Sequence, residues 1–342
     1  MPAGPLFGTP HKRQAPGACL FFMPAQDPRA LHKGEIFMEK IGMIGLGIMG
    51  CPIAKNLCAA GADLTVFDLD QQRVEQLKAL GASTGSYADI ARTCDVILMI
   101  LPNGSISKQV LFGEGGLASA LTPGKLVCDM SSVTPGESRA CHEGLAKLGV
   151  GFVDAPVSGG ETGAIAGTLA IMCGGSQADF QRLEPVFHII GSSALLVGGP
   201  GSGSTTKLAN QIIVNLNIAA LSEALVFAAK AGVDPMMVFQ AIRGGLAGSA
   251  VMESKAPSIC ARNFTPGGTI KINHKDIGNV LASAHELDVP VPFTAQLYEL
   301  QQTLKAWGDF GDDHGAYVKY FEALAGIQVS SPLAPGGEGT KA

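Results

Sequence analysis

Short apolar runs recur through the first half of the chain, and each ends in polar residues, glycine or proline. The runs lie at 40–45, 63–68, 95–102, 126–132 and 151–160. Runs that are apolar at nearly every position are typical of strands covered by helices on both faces of a sheet. Between the second and third runs, Gln71 to Leu80 is amphipathic and stops at Gly81, which predicts a helix with a glycine C-cap. This alternation predicts an α/β fold with a mostly parallel sheet.

The pattern changes at the glycine-rich segment 198–203. Beyond it the apolar positions follow a helical period, and helices are predicted at 208–230, 235–242, 278–287 and 294–307. We therefore predict a Rossmann-type NAD-binding domain over residues 38–202, followed by an all-α domain for substrate binding and oligomerisation over 203–328. Residues 1–37 are predicted to be a disordered tail or to precede a true start at Met38, and residues 329–342 to be a second disordered tail.

Composition and charge exclude several classes of partner. Of the 342 residues, 46% are hydrophobic and 15% charged, which suits a compact protein with a sizeable core. The net charge of −5 disfavours nucleic acids and anionic membranes, because both favour a basic face. The most apolar long stretch, 208–229, is interrupted by polar residues that lipid would penalise, namely Asn210, Asn215, Asn217 and Glu223. We expect neither a nucleic-acid partner nor a membrane span.

The eight cysteines are scattered and form neither a C-x-x-C pair nor a zinc-type spacing with histidine. Several of them, such as Cys128, fall inside apolar runs. This pattern favours buried free thiols in a reducing cytoplasm over disulfides or a metal site. We expect no bound metal.

The first apolar run ends in Gly45-x-Gly47-x-x-Gly50, and a helical pattern follows it. A strand, a glycine turn and a helix in this order are typical of dinucleotide sites. Gly45 permits the tight turn, Gly47 lets the backbone approach a pyrophosphate, and Gly50 lets the helix pack closely on the strand. Some S-adenosylmethionine sites have similar loops, so the motif alone leaves a methyltransferase open.

Asp68 ends the second predicted strand, 18 residues after Gly50. At this position dinucleotide folds place a carboxylate that binds the adenosine ribose hydroxyls and would repel a 2′-phosphate. The predicted cofactor is therefore NAD, with NADP as the alternative. The alternative role for Asp68 is that of a solvated aspartate in a turn.

Lys207 lies at the predicted start of the long helix, which Ser204 or Thr205 could cap. A lysine in the first turn faces the positive end of the helix dipole, which lowers its pKa and suits it to acid–base catalysis. Asn210 lies three residues later on the same face. The alternative is a solvated lysine beside a glycine hinge.

Ser158, Gly159 and Gly160 follow the fifth apolar run and offer a hydroxyl and backbone N–H groups to an anion. A plain tight turn is the alternative. Ligands of open parallel sheets bind beyond the carboxyl ends of the strands. We therefore expect the segments 45–50, 68, 101–103, 131–132 and 158–160 to meet at one edge of the sheet.

Together these segments resemble the β-hydroxyacid dehydrogenase family over about residues 40–328. The matching motifs are Gly45–Gly50, Leu101–Asn103, Asp129–Ser132, Asp154–Gly160 with Gly167–Leu169, the Lys207 helix, and His274–Asp276. Three segments most resemble the branch of that family that acts on tartronate semialdehyde, namely Lys207–Ala220, Ala241–Ser249 and Asp313–Ala316.

The resemblance implies roles for individual residues. Lys207 would be the catalytic acid–base, and Ser158, Gly159, Gly160 and either Asn210 or Gln211 would hold the substrate carboxylate and hydroxyl. The implied cofactor-binding residues are Gly45, Leu46, Gly47, Ile48, Met49, Gly50, Asp68, Leu101, Pro102, Asn103, Ser132 and Lys275. Two departures stand out. Gln211 replaces a second asparagine of many relatives, and Leu69 stands where NADPH-preferring relatives often carry arginine, the next arginine here being Arg73.

The resemblance also implies a reaction, which is reversible hydride transfer between the nicotinamide cofactor and tartronate semialdehyde, giving D-glycerate. Other short acids, such as 3-hydroxyisobutyrate, glyoxylate or succinic semialdehyde, are alternatives with the same chemistry. A non-catalytic nucleotide-binding module is an alternative of another class. The expected partner is a small hydroxyacid or aldehyde, and the apolar helices of the second half predict a homodimer or homotetramer.

Overall fold

The computed structural model describes residues 39–335, in which a nine-stranded sheet precedes a helical half. The strands are β1 Ile41–Ile44, β2 Leu64–Phe67, β3 Ser83–Thr84, β4 Val96–Met99, β5 Leu126–Asp129, β6 Gly151–Asp154, β7 Val157–Ser158, β8 Leu169–Gly174 and β9 Gly191–Gly198. The helices of the first half are α1 Gly50–Ala59, α2 Gln71–Lys78, α3 Tyr87–Thr93, α4 Gly104–Phe112, α5 Pro135–Ala146, α6 Gly160–Ala166 and α7 Gln177–Ile190. Those of the second half are α8 Ser202–Lys230, α9 Pro235–Ile242, α10 Ala250–Cys260, α11 Ile270–Glu286, α12 Pro292–Trp307 and α13 Val318–Ala325. The predicted tail at 1–37 lies outside the described residues.

The sheet has the strand order of a dinucleotide-binding fold. Six strands run parallel in the order β3-β2-β1-β4-β5-β6. The chain adds β2 and β3 on one side of β1 and then returns to place β4 on its other side, so the strand order reverses between β1 and β4. The predicted mostly parallel sheet and the all-α second half are thereby confirmed. Two strands were not predicted from the sequence: β8, which pairs antiparallel with β6 and β7, and β9, which pairs with β8. Most residues of β9 are partly or fully exposed, and its apolar run is limited to the four residues 194–197, between serines and glycine.

Apolar layers cover both faces of the sheet. Within β1, Met43 belongs to one buried cluster and Ile44 to the other, because successive side chains of a strand point to opposite faces. Leu98 and Ile97 of β4 divide in the same way. Burial on both sides explains why these strands are apolar at every position.

The helical half is built around α8, which packs against α10, α11, α12 and α13 and also contacts β8. Among residues 39–335, α8 is the one helix whose length and apolarity would suffice to cross a membrane, and helices of a soluble core pass the same test. Two other helices depart from the prediction. The predicted helix at 278–287 begins at Ile270, where Thr269 caps α11 through the Ile272 N–H, and α10 was not predicted. Asn273 and Asp276 are buried polar residues of α11, which hid its helical period.

The sequence predicts a disordered tail over 329–342, but residues 329–335 pack against the helical half, and 336–342 lie outside the described residues. Val329 is fully buried, and its N–H donates to Glu322 at 2.7 Å. The Ser331 hydroxyl contacts both carboxylate oxygens of Asp234 at 2.8 and 2.9 Å. Proline and glycine content suggested disorder, whereas these long-range hydrogen bonds fix the backbone.

Candidate active site

The loop between β1 and α1 has the shape that a dinucleotide pyrophosphate requires. Gly45 has a φ of 94°, and a Cβ there would collide with the backbone oxygen of Ile100. A Cβ on Gly50 would collide with the carbonyl oxygen of Gly45, so glycine lets α1 start against the loop. A Cβ on Gly47 would meet only Arg73 Nη1, at 3.6 Å, so the backbone there is open to a ligand. These residues therefore fit a bound NAD(P).

Asp68 anchors this loop to the end of β2. Its Oδ2 accepts the Leu46 N–H at 2.5 Å, and its Oδ1 accepts the Asp70 N–H at 2.8 Å. Arg73, from α2, donates to the Leu46 carbonyl at 3.0 Å and lies 3.1 Å from the Asp70 carboxylate. A carboxylate and a guanidinium therefore both border the glycine loop.

A cavity of about 590 Å³ lies beside the glycine loop. Its wall includes Gly47 and Ile48 from the loop, Lys55 from α1, Arg73 from α2 and Glu161 from α6. Two cationic side chains suit a cavity that borders a phosphate site. Ile48 is 47% exposed, so a bound cofactor would cover an apolar side chain that the protein leaves open.

The carboxyl ends of β4 and β5 meet α11 from the helical half. Lys275 donates to the Pro102 carbonyl at 3.2 Å and to the Ser132 carbonyl at 2.7 Å. The Ser132 hydroxyl donates to Asp276 Oδ1 at 2.8 Å, and the Lys275 ammonium lies 3.0 Å from the same oxygen. The structure thus brings Pro102, Ser132 and Lys275 together, as the sequence predicts.

Two other predicted residues of this rim hold the strand ends in place. The Leu101 N–H donates to the Ser131 hydroxyl at 2.8 Å. The Asn103 side-chain oxygen accepts the Ile106 N–H at 3.0 Å and so caps α4. The side-chain oxygen of Asn103 is therefore occupied by the protein itself, which leaves its amide nitrogen for other contacts.

Asp276 is the centre of a buried hydrogen-bond network that was not predicted from the sequence. The Gln211 amide donates to Asp276 Oδ2 at 2.6 Å, and the Asn210 amide donates to Gln211 Oε1 at 3.0 Å. Asp276 and Gln211 are 3% and 6% exposed, whereas Asn210 is half-buried. Both ends of the Gln211 amide are thus engaged within the protein. The sequence feature that could have indicated this network is an acidic residue directly after Lys275 in a helical pattern.

The helix that carries Lys207 is capped from the sheet. The Asp154 carboxylate, at the end of β6, accepts the Gly201 N–H at 2.8 Å and the Ser204 N–H at 2.7 Å. The prediction that Ser204 or Thr205 caps the helix is wrong, because α8 begins at Ser202 and both residues lie inside it. Lys207 is therefore in the second turn of α8.

The environment of Lys207 favours loss of its proton. Part of its side chain remains accessible, but the surrounding protein excludes most of the water, and this desolvation lowers the pKa of Lys207. The Asp276 carboxylate opposes this shift and the Lys275 ammonium adds to it. The lowered pKa of Lys207 was predicted from the helix dipole, whereas burial is its main cause.

The cradle Ser158–Gly160 lies between β7 and α6. Ser158 ends β7, and Gly159 and Gly160 have φ angles of 135° and 62°, which favour glycine. A Cβ on Gly160 would lie 4.0 Å from the carbonyl oxygen of Gly267, which belongs to the helical half. Gly159 and Gly160 are exposed, and Gly160 lies beside the second half of the chain.

Metal-ligating geometry does not occur between 39 and 335, where no group of three or more His, Cys, Asp or Glu residues could hold an ion. Seven cysteines of the same range are free thiols. The residues gathered around Lys207 are instead amides, hydroxyls, a carboxylate and a second lysine. Such a set supports proton transfer and anion binding.

Comparisons with known proteins agree with this arrangement. Residues 40–199 match the NAD binding domain of 6-phosphogluconate dehydrogenase, and residues 201–321 match the NAD-binding domain of NADP-dependent 3-hydroxyisobutyrate dehydrogenase. The chain is 44% identical to 2-hydroxy-3-oxopropionate reductase of Escherichia coli K12, over 85% of this chain and 100% of that protein. It is 38% identical to 2-(hydroxymethyl)glutarate dehydrogenase of Eubacterium barkeri, over 85% and 97%. The crystal structure of 3-hydroxyisobutyrate dehydrogenase from Salmonella typhimurium is similar with a TM-score of 0.74, at 30% identity, over 82% and 99%.

Proposed function

This chain belongs to the 3-hydroxyisobutyrate dehydrogenase-like family of β-hydroxyacid dehydrogenases, and we propose that it interconverts tartronate semialdehyde and D-glycerate. It is an NAD(P)-dependent oxidoreductase that acts on CH–OH groups. Relatives named for other acids are also similar to it, so the substrate is part of the proposal. The observation that carries the proposal is the position of Lys207, which has a lowered pKa beside the Asp276 network where the two halves meet.

We assign the proton transfer to Lys207. A bound reduced nicotinamide would supply the hydride to the aldehyde carbon, and the carbonyl oxygen then needs a proton. The Lys207 ammonium donates that proton and stabilises the developing negative charge on the oxygen. Its lowered pKa makes the proton easier to give up near neutral pH. In the reverse direction the neutral amine accepts the proton of the alcohol.

The substrate carboxylate is proposed to bind the Ser158 hydroxyl and the backbone of Gly159 and Gly160. Asn210 is the better candidate for the amide that touches the substrate, because Gln211 is buried between Asn210 and Asp276. Gln211 then acts indirectly, by holding the Asn210 side chain. Most of the rate enhancement would come from this positioning of the aldehyde.

For the cofactor we propose a preference for NAD. Asp68 presents a carboxylate at the glycine loop, which would repel a 2′-phosphate and bind ribose hydroxyls. Arg73 lies next to the same loop and is the feature that favours NADP as the alternative. Its charge is offset by the neighbouring Asp70 carboxylate at 3.1 Å, which supports the choice of NAD.

We further propose a homo-oligomer that works in the cytoplasm. Several large apolar side chains of the helical half are exposed, including Ile213 and Phe227 of α8 at 61% and 76%, and a second copy would cover them. Free cysteines such as Cys128 and Cys173 are both buried without a disulfide, as expected in a reducing compartment.

The test is turnover of the purified protein with tartronate semialdehyde, using NADH and NADPH in separate assays. Methylmalonate semialdehyde, succinic semialdehyde and glyoxylate serve as competing substrates, and the highest kcat/KM is expected for tartronate semialdehyde with NADH. Lys207→Ala should abolish turnover while cofactor binding persists, whereas Lys78→Ala, on the exposed side of α2, should change neither. Near-normal turnover by Lys207→Ala would remove the assignment of Lys207, and oxidation of neither cofactor by the unmodified protein would remove the function.

A further inference from the structure

One polar region beside the cradle has no part in the reaction described so far. It is organised by Asp313, a carboxylate that is 5% exposed. Asp313 binds the Lys255 ammonium at 2.8 and 3.0 Å and accepts the N–H groups of Gly267 and Gly268 at 3.0 and 3.2 Å. These bonds clamp the loop that contains Gly268 to the turn that begins with His314, whose own N–H donates to the Gly268 carbonyl at 3.0 Å.

Gly268 leaves a notch between two polar side chains. A Cβ at this position would lie 3.8 Å from His314 Nε2 and 3.8 Å from Asn273 Nδ2. Its other near neighbour would be His314 Cε1, at 3.6 Å. Gly268 and His314 both retain some exposed surface, and neighbours at 3.6–3.8 Å leave room at Gly268 for one further atom. It adjoins the cradle, because Gly267 is the residue whose carbonyl lies 4.0 Å from the Cβ position of Gly160.

The chemistry of the notch follows from the state of His314. Its burial lowers the pKa of His314 to about 4, so the imidazole is neutral at pH 7. Nδ1 is enclosed and has no hydrogen-bond partner in the part of the chain that the structure describes. An enclosed N–H without an acceptor is rarer in proteins than an unpaired acceptor, so we assign the proton to Nε2. The Nε2–H donor then borders the notch.

Asn273 supplies a second donor. Its Nδ2 gives one hydrogen to the Thr269 carbonyl at 3.0 Å, which fixes the orientation of the amide and leaves the second N–H for the notch. Asn273 is 4% exposed, so its position is set by packing. Two N–H donors, from His314 and Asn273, therefore converge on a space next to the carboxylate cradle. Such a space fits an oxygen atom, and an alkyl group would leave both donors unpaired.

We propose that the notch of Gly268, Asn273 and His314 binds the hydroxyl oxygen on C2 of the substrate and thereby selects hydroxylated 3-oxoacids over unsubstituted or alkylated ones. The inference rests on the proposed function, because it takes the carboxylate on C1 to lie in the cradle at Ser158–Gly160. The substituent on C2 is then the part of the substrate closest to the notch. A site built to pair a hydroxyl rejects an analogue without it far more strongly than an apolar pocket rejects an extra methyl group.

Two substitutions test the notch without disturbing the cradle. Gly268→Ala places a methyl group in the notch with contacts of 3.6–3.8 Å, which are ordinary, and the φ of Gly268 lies outside the left-handed region. His314→Phe keeps a planar ring and removes the donor. Gly311→Ala is the matched control, because a Cβ there meets nothing within 4 Å. All are assayed for kcat/KM with tartronate semialdehyde, 3-oxopropanoate and 2-methyl-3-oxopropanoate.

The unmodified protein should prefer tartronate semialdehyde over both analogues by about tenfold or more. Gly268→Ala and His314→Phe should each lower kcat/KM for tartronate semialdehyde by about tenfold and change that for 3-oxopropanoate by less than about twofold. Gly311→Ala should leave all three values unchanged. Equal losses on all substrates would overturn the notch proposal and leave the proposed function standing. No preference in the unmodified protein would overturn the notch proposal together with the choice of substrate, and leave only the oxidoreductase activity.

A separate binding measurement tests the notch proposal even if the protein turns over none of the aldehydes. D-glycerate and 3-hydroxypropanoate differ only by the C2 hydroxyl, and each is titrated calorimetrically into the protein saturated with NAD⁺. Tighter binding of D-glycerate that is lost in Gly268→Ala supports the notch. Equal affinities of the two acids for the unmodified protein would overturn it. Absence of turnover with every aldehyde, by contrast, counts against the proposed function alone.

Discussion

Replacing Asp154 by asparagine should change how the stability of the protein depends on pH. The Asp154 carboxylate is 1% exposed, and its burial raises its pKa from 3.8 to about 6, although the N–H groups of Gly201 and Ser204 act in the opposite direction. A carboxyl group with a raised pKa stabilises the fold in its neutral form. Its contribution is therefore fully present below pH 3.8 and is lost as the pH rises through about 6.

The size of the effect follows from the shift. A change from 3.8 to about 6 corresponds to about 3 kcal/mol in total, of which about 2 kcal/mol falls between pH 4.5 and pH 7.5. Asparagine cannot titrate, and it can accept only one of the two backbone N–H groups through its side-chain oxygen. The loss of one hydrogen bond shifts the stability by an amount that does not depend on pH. Only the difference in slope reports the buried charge.

Urea unfolding at a fixed protein concentration, followed by far-ultraviolet circular dichroism, measures this difference. The free energy of unfolding of the unmodified protein, relative to Asp154→Asn, should fall by about 2 kcal/mol from pH 4.5 to pH 7.5. The matched control is Asp288→Asn, an exposed position whose φ of 55° asparagine also tolerates, and its difference should stay constant. A constant difference for Asp154→Asn would refute the reasoning. A rise with pH would mean that the N-terminus of α8 holds the carboxylate as an anion.

Three further predictions concern Lys207, the helix that carries it and the glycine loop. Asp276→Asn removes a charge that raises the pKa of Lys207, so the pH profile of kcat/KM should move to lower pH. Lys275→Met removes a charge that lowers this pKa, so the profile should move to higher pH. Shifts of the two variants in the same direction would contradict these roles. Gly203→Ala should lower the free energy of unfolding by at least about 1–3 kcal/mol, because a Cβ there collides with two backbone oxygens. An unchanged midpoint of urea unfolding would refute that collision. Asp68→Asn should weaken NADH binding by about tenfold in calorimetric titrations, and the ratio of NADH affinity to NADPH affinity should become smaller. Unchanged NADH affinity would exclude a contact between Asp68 and the ribose.

The parts of the fold that the sequence predicts are those set by short-range patterns. β1, the glycine loop and α1 follow one another within residues 41–59, and local glycine geometry determines that unit. The apolar runs mark β4 and β5 because burial on both faces removes polar residues from them. β9 is less distinct, because most of its residues reach solvent and its apolar run covers only residues 194–197. β8 was missed as well although it is largely buried, so exposure accounts for the missed prediction of β9 alone.

Only those parts of the site could be predicted whose residue types and spacing along the chain indicate their chemistry. Lys207 and the cradle at Ser158–Gly160 were predicted from spacing and residue type, and their roles stay predictions. The cap of α8 was assigned to Ser204 or Thr205, the nearest candidates along the chain, whereas the group that caps the helix is Asp154, about fifty residues earlier. A helix without its own side-chain cap cannot reveal its start, which is why α8 begins before the predicted residue 208.

The two halves of the chain share the residues that hold Lys207, and this bears on how the site can move. Asp154 of the sheet half accepts two N–H groups from the start of α8, and Ser132 of the sheet half donates to Asp276 of α11 at 2.8 Å. Asp276 in turn orients Gln211, one turn beyond Lys207 on α8. A rotation of the halves large enough to move Lys207 would have to break hydrogen bonds to two buried carboxylates, each of which is expensive to leave unpaired. Lys207 is therefore fixed relative to the strand ends.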